Sequence, residues 1–218
     1  MRTDRPTVVV TLPARSVAEC RSQFDEARDA GADVAEVRID RFPPPERARP
    51  GRILPAPLPV LATLRSKREG GAGPDAGPER SRALHEIVSA GFDLVDLELS
   101  TDAALLSSLM STGARCQFVL SSHLPVGADA AEIDSRLRPS VPSVAFTKII
   151  LPASLTELFR DIVPRMPRPG ASPFVVHTTG PSGPLLRAWA GRYGMSAAYA
   201  APPEDLNRPS IEPSQIPV

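Results

Sequence analysis

Residues 143–150, SVAFTKII, form an apolar stretch that carries a lysine near its end. The chain has lysine at two positions, Lys67 and Lys148, and arginine fills all its other basic positions. Arginine stays protonated at ordinary pH, whereas a buried lysine can lose its proton and attack a carbonyl carbon as a free amine. Lys148 is therefore a candidate Schiff-base nucleophile, and the alternative is a strand-end lysine whose ammonium group reaches water.

The same kind of apolar, β-branched stretch recurs along the chain, and segments with helical spacing separate most of these stretches. Strands are predicted at 7–13, 32–40, 58–65, 94–99, 116–122, 144–150, 174–178 and 196–200, and helices at 16–30, 79–90, 101–111, 128–137, 154–163 and 182–193. Repeated βα units form parallel sheets, and eight of them predict an α/β protein of the (β/α)8 TIM barrel type. An open doubly wound sheet is the alternative, but no glycine-rich fingerprint follows the first strand.

The domain organisation follows from length and from the proline-rich segments. A chain of 218 residues has the size of one barrel, so residues 1–218 are predicted to form a single domain. Segments 42–57 and 70–77 are rich in proline, arginine or glycine and are predicted to be loops. Residues 202–218 are predicted to be a C-terminal tail that folds over one mouth of the barrel as a lid.

Composition excludes several classes of partner. The 25 basic and 25 acidic residues cancel, and no basic stripe is present, so neither a nucleic acid nor an anionic membrane is expected. Cys20 and Cys116 are too few and too far apart for a disulfide framework or a metal site, which is typical of a reducing compartment. With neither a leader nor an apolar run of membrane-spanning length, the sequence predicts a cytoplasmic protein with a small-molecule ligand.

Charged residues recur on one face of the predicted strands. In AEVRID, the alternation of a strand puts Glu36, Arg38 and Asp40 on the face opposite the apolar residues, which points them into the barrel. The other inward sets are Thr63 with Arg65, Asp96 with Glu98, Ser121 with His123, and Phe146 with Lys148. Each set alone has a structural interpretation, such as an ion pair. Their recurrence at the C-terminal ends of successive strands favours an active site.

The inventory of side chains indicates a type of chemistry. A lysine amine that condenses with a ketone gives an iminium, which makes the proton on the adjacent carbon acidic. His123 titrates in the range needed to take that proton and to return it to a leaving group. Arginine matches a carboxylate bidentately, and Arg187, on the helix after the GPSG loop, is a candidate for that role. The alternative for Arg187 is a solvated helix residue.

Short motifs across nearly the whole chain resemble those of the type I 3-dehydroquinate dehydratases (3-dehydroquinases) of the shikimate pathway. They run in the family's order, and the strand-borne EVRID and the REGG segment are the most distinctive. The motifs are EVRID (36–40), LRSKREGG (64–71), DLVDLEL (93–99), SSH (121–123), TK (147–148), GPSGPLLR (180–187) with Gly194 beyond it, and PSQI (213–216).

The resemblance implies a barrel that dehydrates 3-dehydroquinate to 3-dehydroshikimate without a metal or an added cofactor. It implies that Lys148 forms the Schiff base, that His123 is the general base and acid, and that Glu69 orients His123. It also implies a homodimer, although no face of the sequence identifies an interface. The substrate-binding residues implied are Glu36, Arg38, Arg65, Arg187 for the carboxylate, and Gln215 for ring hydroxyls.

The chain departs from the family pattern around the substrate. Leu186, His177 and Met195 replace residues that are usual beside the pocket, and the lid carries Ile211 and Ser214 in place of its usual residues. Two alternatives therefore stand beside the lyase: another Schiff-base barrel enzyme of the aldolase or transaldolase type, and a barrel that has lost catalysis and serves as a binding module. The lysine, histidine and arginine that the lyase needs are retained.

Overall fold

The strands of the protein form one parallel sheet. The computed structural model describes residues 5–112, 115–137, 144–168 and 172–200. The strands within these ranges are β1 (Thr7–Thr11), β2 (Val34–Arg38), β3 (Val60–Thr63), β4 (Leu94–Glu98), β5 (Gln117–His123), β6 (Val144–Pro152), β7 (Phe174–Thr179) and β8 (Ala197–Ala200). Their order in the sheet is β7-β6-β5-β4-β3-β2-β1-β8.

The two edges of this sheet come together. The backbone N–H of Ser196, just before β8, donates to the carbonyl of Phe174 in β7 at 2.9 Å. The sheet is thus a nearly closed barrel, which confirms the predicted (β/α)8 TIM fold over the doubly wound alternative. The predicted lid, residues 202–218, lies outside the described ranges, and the extension of one domain over residues 1–218 stays a prediction.

Helical segments cover the outside of the barrel. Ser16 caps the first of them, since its hydroxyl accepts from the backbone N–H of Glu19 at 3.2 Å. Ser154 and Glu157 form a capping box at the start of another. Among the described residues the helices are α1 (Val17–Asp29), α2 (Pro44–Arg47), α3 (Gly77–Ser89), α4 (Leu99–Asp102), α5 (Leu106–Met110), α6 (Ala130–Leu137), α7 (Leu155–Glu157) and α8 (Ser182–Ala188).

Three predicted helices are wrong in their extent. The helix predicted at 101–111 is split into α4, a 3₁₀ turn at Ala103–Leu105 and α5. The helix predicted at 154–163 consists of α7, a π turn at Leu158–Ile162 and a 3₁₀ turn at Val163–Arg165. The helix predicted at 182–193 stops at Ala188, ahead of two glycines at 191 and 194, because glycine is a poor helix former.

Apolar side chains line much of the inside of the barrel. Inward residues from the strands form an apolar layer in its lower half, and a larger apolar cluster lies between the barrel and the helices. The inner layer consists of Val9, Val34, Leu61, Leu94, Val119, Ala145, Phe146, Val175, Ala197 and Tyr199. This floor leaves the polar residues of the strands at the C-terminal mouth.

Candidate active site

The registers of the parallel strands bring the predicted polar residues to one level at the C-terminal mouth. Glu98 of β4 pairs with Ser121 of β5, and Ser121 pairs with Lys148 of β6. On the other side, Arg38 of β2 pairs with Thr63 of β3. Because neighbouring strands run in the same direction, their paired residues lie side by side at the same height in the barrel.

Lys148 lies in a nearly closed environment, with its side chain 7% exposed. Its Nζ is 3.7 Å from Oε1 of Glu36 and 3.7 Å from the centre of the Tyr199 ring. Burial lowers the pKa of Lys148 below its usual value, and nearby arginines act in the same direction while Glu36 opposes them. A larger fraction of neutral amine is therefore present than in a solvated lysine, which is the form that attacks a carbonyl.

Glu36 is the counterion of this amine. Its carboxylate accepts from the hydroxyl of Thr11 at 2.5 Å and from that of Thr63 at 2.9 Å. Burial alone would raise the pKa of Glu36, but the charges of Lys148 and Arg38, together with the two hydroxyl donors, lower it to about 2. Glu36 is thus ionised and held in place on both oxygens.

His123, at the end of β5, is paired with Glu69 from the loop after β3. Nδ1 of His123 lies 2.7 Å from Oε2 of Glu69. Burial, together with the charges of Arg65 and Lys148, lowers the pKa of His123 to about 3, although the charge of Asp96 acts in the opposite direction. The imidazole is neutral at pH 7, so Nδ1–H donates to the Glu69 carboxylate and Nε2 keeps its lone pair.

Arg65 connects the loop to two neighbouring strands. Its Nη1 donates to Glu69 at 2.7 Å and to Ser121 at 3.0 Å, and its Nη2 donates to Asp96 at 2.9 Å. Nη1 also lies 3.2 Å from Oε1 of Glu98. The side chain of Arg65 is 3% exposed, and both of its Nη groups donate to neighbouring elements, so Arg65 ties the loop to β4 and β5.

Asp40 fastens the other end of the same loop. It receives Arg38 on both oxygens, at 2.9 and 3.0 Å, and it accepts from the backbone N–H groups of Arg65 and Ala72, both at 3.1 Å. The sequence predicted Asp40 inside the second strand, but β2 ends at Arg38 and Asp40 lies in a 3₁₀ turn at Ile39–Arg41. The turn frees its carboxylate to hold the loop.

Glycine at position 71 is required by a close approach of the backbone. A Cβ on Gly71 would lie 2.2 Å from the carbonyl oxygen of Arg65. The backbone N–H of Gly71 donates to the carbonyl of Ser66 at 2.7 Å, which turns the loop back on itself. The REGG segment therefore folds tightly enough to bring Glu69 to the histidine.

Arg187, on α8, is drawn over the end of β7. Its Nη1 is 3.1 Å from the position that a Cβ of Gly183 would take, and the same point is 2.5 Å from the carbonyl oxygen of Thr178. Burial lowers the pKa of Arg187, which nevertheless stays charged at neutral pH because an arginine titrates far above it. The half-buried guanidinium at the mouth is suited to a carboxylate.

Comparison with known sequences assigns this arrangement to a family. Residues 8–218 match the sequence model of the family described as type I 3-dehydroquinase. The chain belongs to the type I 3-dehydroquinase family. The match covers every residue of the candidate site described above.

Individual relatives carry the corresponding names. A 3-dehydroquinate dehydratase of Metallosphaera sedula is 33% identical over 100 residues, which is 44% of this chain and 44% of that protein. One from Escherichia coli O8 is 24% identical over 219 residues, covering 91% of this chain and 85% of that protein. The match thus spans less than half the length of the first relative and most of the second.

Solved structures support the barrel fold. The type I 3-dehydroquinate dehydratase of Clostridium difficile superposes with a TM-score of 0.83 and 20% identity, over 97% of this chain and 90% of that one. At this identity the similarity shows the fold alone. It agrees with the eight-stranded order described above.

The departures of this chain from the family pattern lie in three places. Leu186 and Met195 are buried in the apolar cluster outside the barrel, so they contribute packing. His177 is buried inside the barrel, on β7. The predicted lid residues Ile211, Ser214 and Gln215 lie outside the described ranges, and the predicted contact of Gln215 with substrate stays a prediction.

Two features of the candidate site were missed in the sequence. Tyr199 lies against the lysine but stands in an alanine-rich strand with no charged neighbour. Its place on the inward face follows from the alternation Ala197–Tyr199, which could have been noticed. Arg80 on α3 is buried in a bidentate pair with Asp102, at 2.7 and 2.6 Å, behind the site. No motif indicated that pair, because Arg80 stands among other charged residues of α3 and looks like a surface arginine in the sequence.

The opposite mouth of the barrel holds a cavity of about 550 Å³. Its carboxylates, Asp33 and Asp93, accept from the backbone N–H groups of Val8 and Val60, at 2.8 and 2.9 Å. Carboxylates used in this way stabilise the start of the strands. The predicted catalytic residues lie at the other mouth, where barrel enzymes usually carry their sites.

The described residues contain no group of three or more histidine, cysteine, aspartate or glutamate side chains placed to hold a metal ion. No helix in the described ranges has the length and hydrophobicity needed to cross a bilayer.

Proposed function

We propose that this chain converts 3-dehydroquinate to 3-dehydroshikimate and water through a Schiff base on Lys148, with His123 as general base and acid. Family membership gives the enzyme class, a hydro-lyase of the type I 3-dehydroquinate dehydratase kind. The observation that carries the mechanism is the buried Lys148 amine at the same mouth as a histidine that a carboxylate holds at 2.7 Å.

The proposed first step is attack of the neutral Lys148 amine on the ring ketone. Loss of water from the adduct gives a protonated imine, which draws electrons from the adjacent carbon. Burial lowers the pKa of Lys148, which increases the amine that is ready to attack. The ionised Glu36, 3.7 Å from Nζ, stabilises the positive charge that the nitrogen carries in the imine.

The proposed second step is proton transfer through His123. Nε2 accepts the proton of the carbon next to the imine, the electron pair of that C–H bond forms a C=C bond to the imine carbon, and the π pair of the C=N bond moves to the nitrogen, which gives a neutral enamine. Return of the nitrogen pair then shifts electrons back through the enamine toward the carbon that carries the leaving hydroxyl group. The bond to the hydroxyl group then breaks, and the imidazolium returns the proton so that water leaves. Because the pKa of His123 is lowered to about 3, the imidazolium returns the proton readily, and the preceding abstraction by the weakly basic Nε2 depends on the acidity that the imine gives to the adjacent carbon. Hydrolysis of the imine releases the product.

Substrate contacts are assigned from the positions of the side chains at the mouth. Arg187 is proposed to bind the carboxylate, as its guanidinium lies at the mouth over the end of β7. Glu36 is proposed to face the ring beside the imine. Arg65 and Arg38, implied as pocket residues by the family resemblance, are engaged with carboxylates of the protein. We propose that they act by positioning Glu69 and Asp40. Gln215 is proposed to close over the ring hydroxyls.

The two alternatives have less support. An aldolase or transaldolase would also use the Lys148 imine, but the family match over residues 8–218 favours the lyase. A binding module without catalysis would have no use for an oriented, neutral histidine beside a buried amine. The altered lid was its sole support, and the lid residues lie outside the described ranges.

Borohydride trapping tests the proposal. The protein is incubated with 3-dehydroquinate and sodium borohydride, and tryptic peptides are analysed by mass spectrometry. An adduct on Lys148 is expected, and it should persist in a Lys67→Arg variant, in which Lys148 is the one remaining lysine. Lys148→Met should abolish both the adduct and turnover. An active protein without an adduct on Lys148 would refute the Schiff-base mechanism.

Two parts of the proposal concern the state of the protein. Cytoplasmic location and a homodimer remain predictions. Sedimentation equilibrium on the purified chain measures its mass directly, and a mass of 23.2 kDa, that of one chain, would reject the dimer.

A further inference from the structure

Two polar atoms beside Lys148 lack a hydrogen-bond partner in the part of the chain that the structure describes. They are Nε2 of His177, on β7, and the hydroxyl of Tyr199, on β8. The two residues are 5% and 7% exposed, so bulk water does not readily satisfy these atoms. A buried polar atom without a partner lowers stability, and its presence beside a reactive group indicates a ligand that completes it.

The two side chains are in contact with one another and with the site. The rings of His177 and Tyr199 meet edge to face, with centroids 5.2 Å apart and planes at 86°. The Tyr199 ring in turn lies 3.7 Å from Nζ of Lys148. The unpaired atoms therefore belong to the wall of the pocket on the β7–β8 side of the amine, opposite the His123–Glu69 pair on β5 and the loop after β3.

Arg187 lies on this side of the pocket as well. A Cβ on Gly183 would lie 3.1 Å from Nη1 of Arg187 and 2.5 Å from the carbonyl oxygen of Thr178, so the guanidinium lies near the residue that follows His177. A molecule with its ketone at Lys148 and its carboxylate at Arg187 would thus run along the end of β7, past His177. Burial and the charges of Lys148 and Arg187 hold the pKa of His177 well below its ordinary value. The neutral ring has one N–H donor and one acceptor.

We propose that Nε2 of His177 and the Tyr199 hydroxyl form a hydrogen-bonding subsite for a hydroxyl group of the ring substrate, on the side between the ketone and the carboxylate. The subsite rests on the proposed function, since it takes the ketone to be at Lys148. It binds and selects, and it transfers no proton. Its effect is to favour hydroxylated cyclic keto acids over rings that lack the hydroxyl, because such rings leave the buried atoms unpaired.

Substitutions at the two residues separate this role from packing. Tyr199→Phe removes the hydroxyl and keeps the ring, and Tyr193→Phe, on a half-buried tyrosine outside the site, is the matched control. His177→Leu removes the imidazole, and His177→Gln keeps a polar side chain as the conservative variant. Each variant is assayed for KM and kcat with 3-dehydroquinate. A second assay uses 3-oxocyclohexane-1-carboxylate, which lacks ring hydroxyls. It measures the concentration of this compound that gives half-maximal borohydride trapping on Lys148.

We expect Tyr199→Phe and His177→Leu to raise KM for 3-dehydroquinate about tenfold, as loss of one hydrogen bond does. His177→Gln should recover part of the loss, and Tyr193→Phe should change nothing. Half-maximal trapping of the ring without hydroxyls should stay within twofold of the wild type in all variants. The midpoint of thermal unfolding should stay the same or rise for Tyr199→Phe, because an unpaired buried hydroxyl is removed.

Four results would overturn the proposal. If KM stays within twofold while the melting temperature rises, the two atoms are tolerated core groups without a ligand. If both compounds lose affinity equally, the rings act by shape. If the wild type forms no adduct on Lys148 with either compound, the proposed function fails and the subsite fails with it. An adduct in the wild type with an unchanged KM in Tyr199→Phe removes the subsite alone.

Discussion

Oε2 of Glu69 lies 2.7 Å from Nδ1 of His123, so the loop after β3 reaches the end of β5. This contact fixes the tautomer that leaves Nε2 free to accept a proton. Since Arg65 holds the same oxygen at 2.7 Å, the carboxylate has little freedom to turn away. The orientation of the proposed base thus depends on a residue that is remote in sequence.

Glu69→Gln should lower kcat on the order of 100-fold while leaving KM nearly unchanged. A glutamine amide can present its NH₂ group to Nδ1 and so favour the opposite tautomer, which occupies Nε2 with a proton. Steady-state kinetics measures the effect, and the borohydride adduct on Lys148 should still form. A loss of the adduct would mean that Glu69 supports the fold of the pocket rather than the histidine.

His123→Ala should permit imine formation and lower turnover by a factor of about 10² to 10⁴, the usual contribution of a positioned acid or base. The substrate adduct should therefore accumulate, which mass spectrometry of the trapped protein detects. His85→Ala, on α3 away from the mouth, is the matched control. Wild-type turnover in His123→Ala would remove this residue from the mechanism.

Arg187→Ala should raise KM about 10- to 100-fold, since a charge-assisted hydrogen bond to the substrate carboxylate is lost. Arg192→Ala removes an exposed arginine from the same region and should leave KM unchanged. The two KM values decide the assignment. An unaffected KM in Arg187→Ala would mean that another residue, such as Arg38, binds the substrate carboxylate.

Gly71→Ala should destabilise the protein more than Gly70→Ala. A Cβ at position 71 would lie 2.2 Å from the carbonyl oxygen of Arg65, whereas one at position 70 meets nothing within 4 Å and is opposed by the backbone φ of +80° alone. We expect about 1 kcal/mol for Gly70→Ala and more than 2 kcal/mol for Gly71→Ala. Urea unfolding measures both, and equal losses would contradict the close approach of the loop.

Lys148 should titrate below 10.5, the ordinary pKa of a lysine. The sign follows from burial: the native environment disfavours the ammonium form, so the neutral fraction at any pH below 10.5 is larger than in the unfolded chain. The measurement is the pH dependence of trace acetylation at each lysine, with the exposed Lys67 as the internal reference. A midpoint for Lys148 at or above 10.5 would show that Glu36 outweighs burial.

The barrel and most of the site could be predicted because strand alternation is local. Inward placement of Glu36 and Lys148 follows from their parity in strands of a few residues, and all parallel strands end at one mouth. Helix lengths could not be predicted in the same way. The turn that follows β4 depends on Asp102, which accepts from the backbone N–H of Glu98 at 2.9 Å and binds Arg80 from α3.

The contacts between strands and loops also depend on tertiary packing. Family resemblance implied that Glu69 orients His123, and the structure places them in contact. Nothing local in the sequence indicated that Arg65 would donate to Glu69, Ser121 and Asp96. Such a network is specified by residues up to 56 positions apart.

The burial of Lys148 in a chain with two lysines also has a use at the bench. The environment that favours its free amine exists when β2, β6 and β8 are assembled, and it vanishes when they separate. A carbonyl reagent that is reduced onto this residue would therefore label folded molecules in preference to unfolded ones. Adduct stoichiometry, read from one intact-mass spectrum, would report what proportion of a preparation has an assembled barrel.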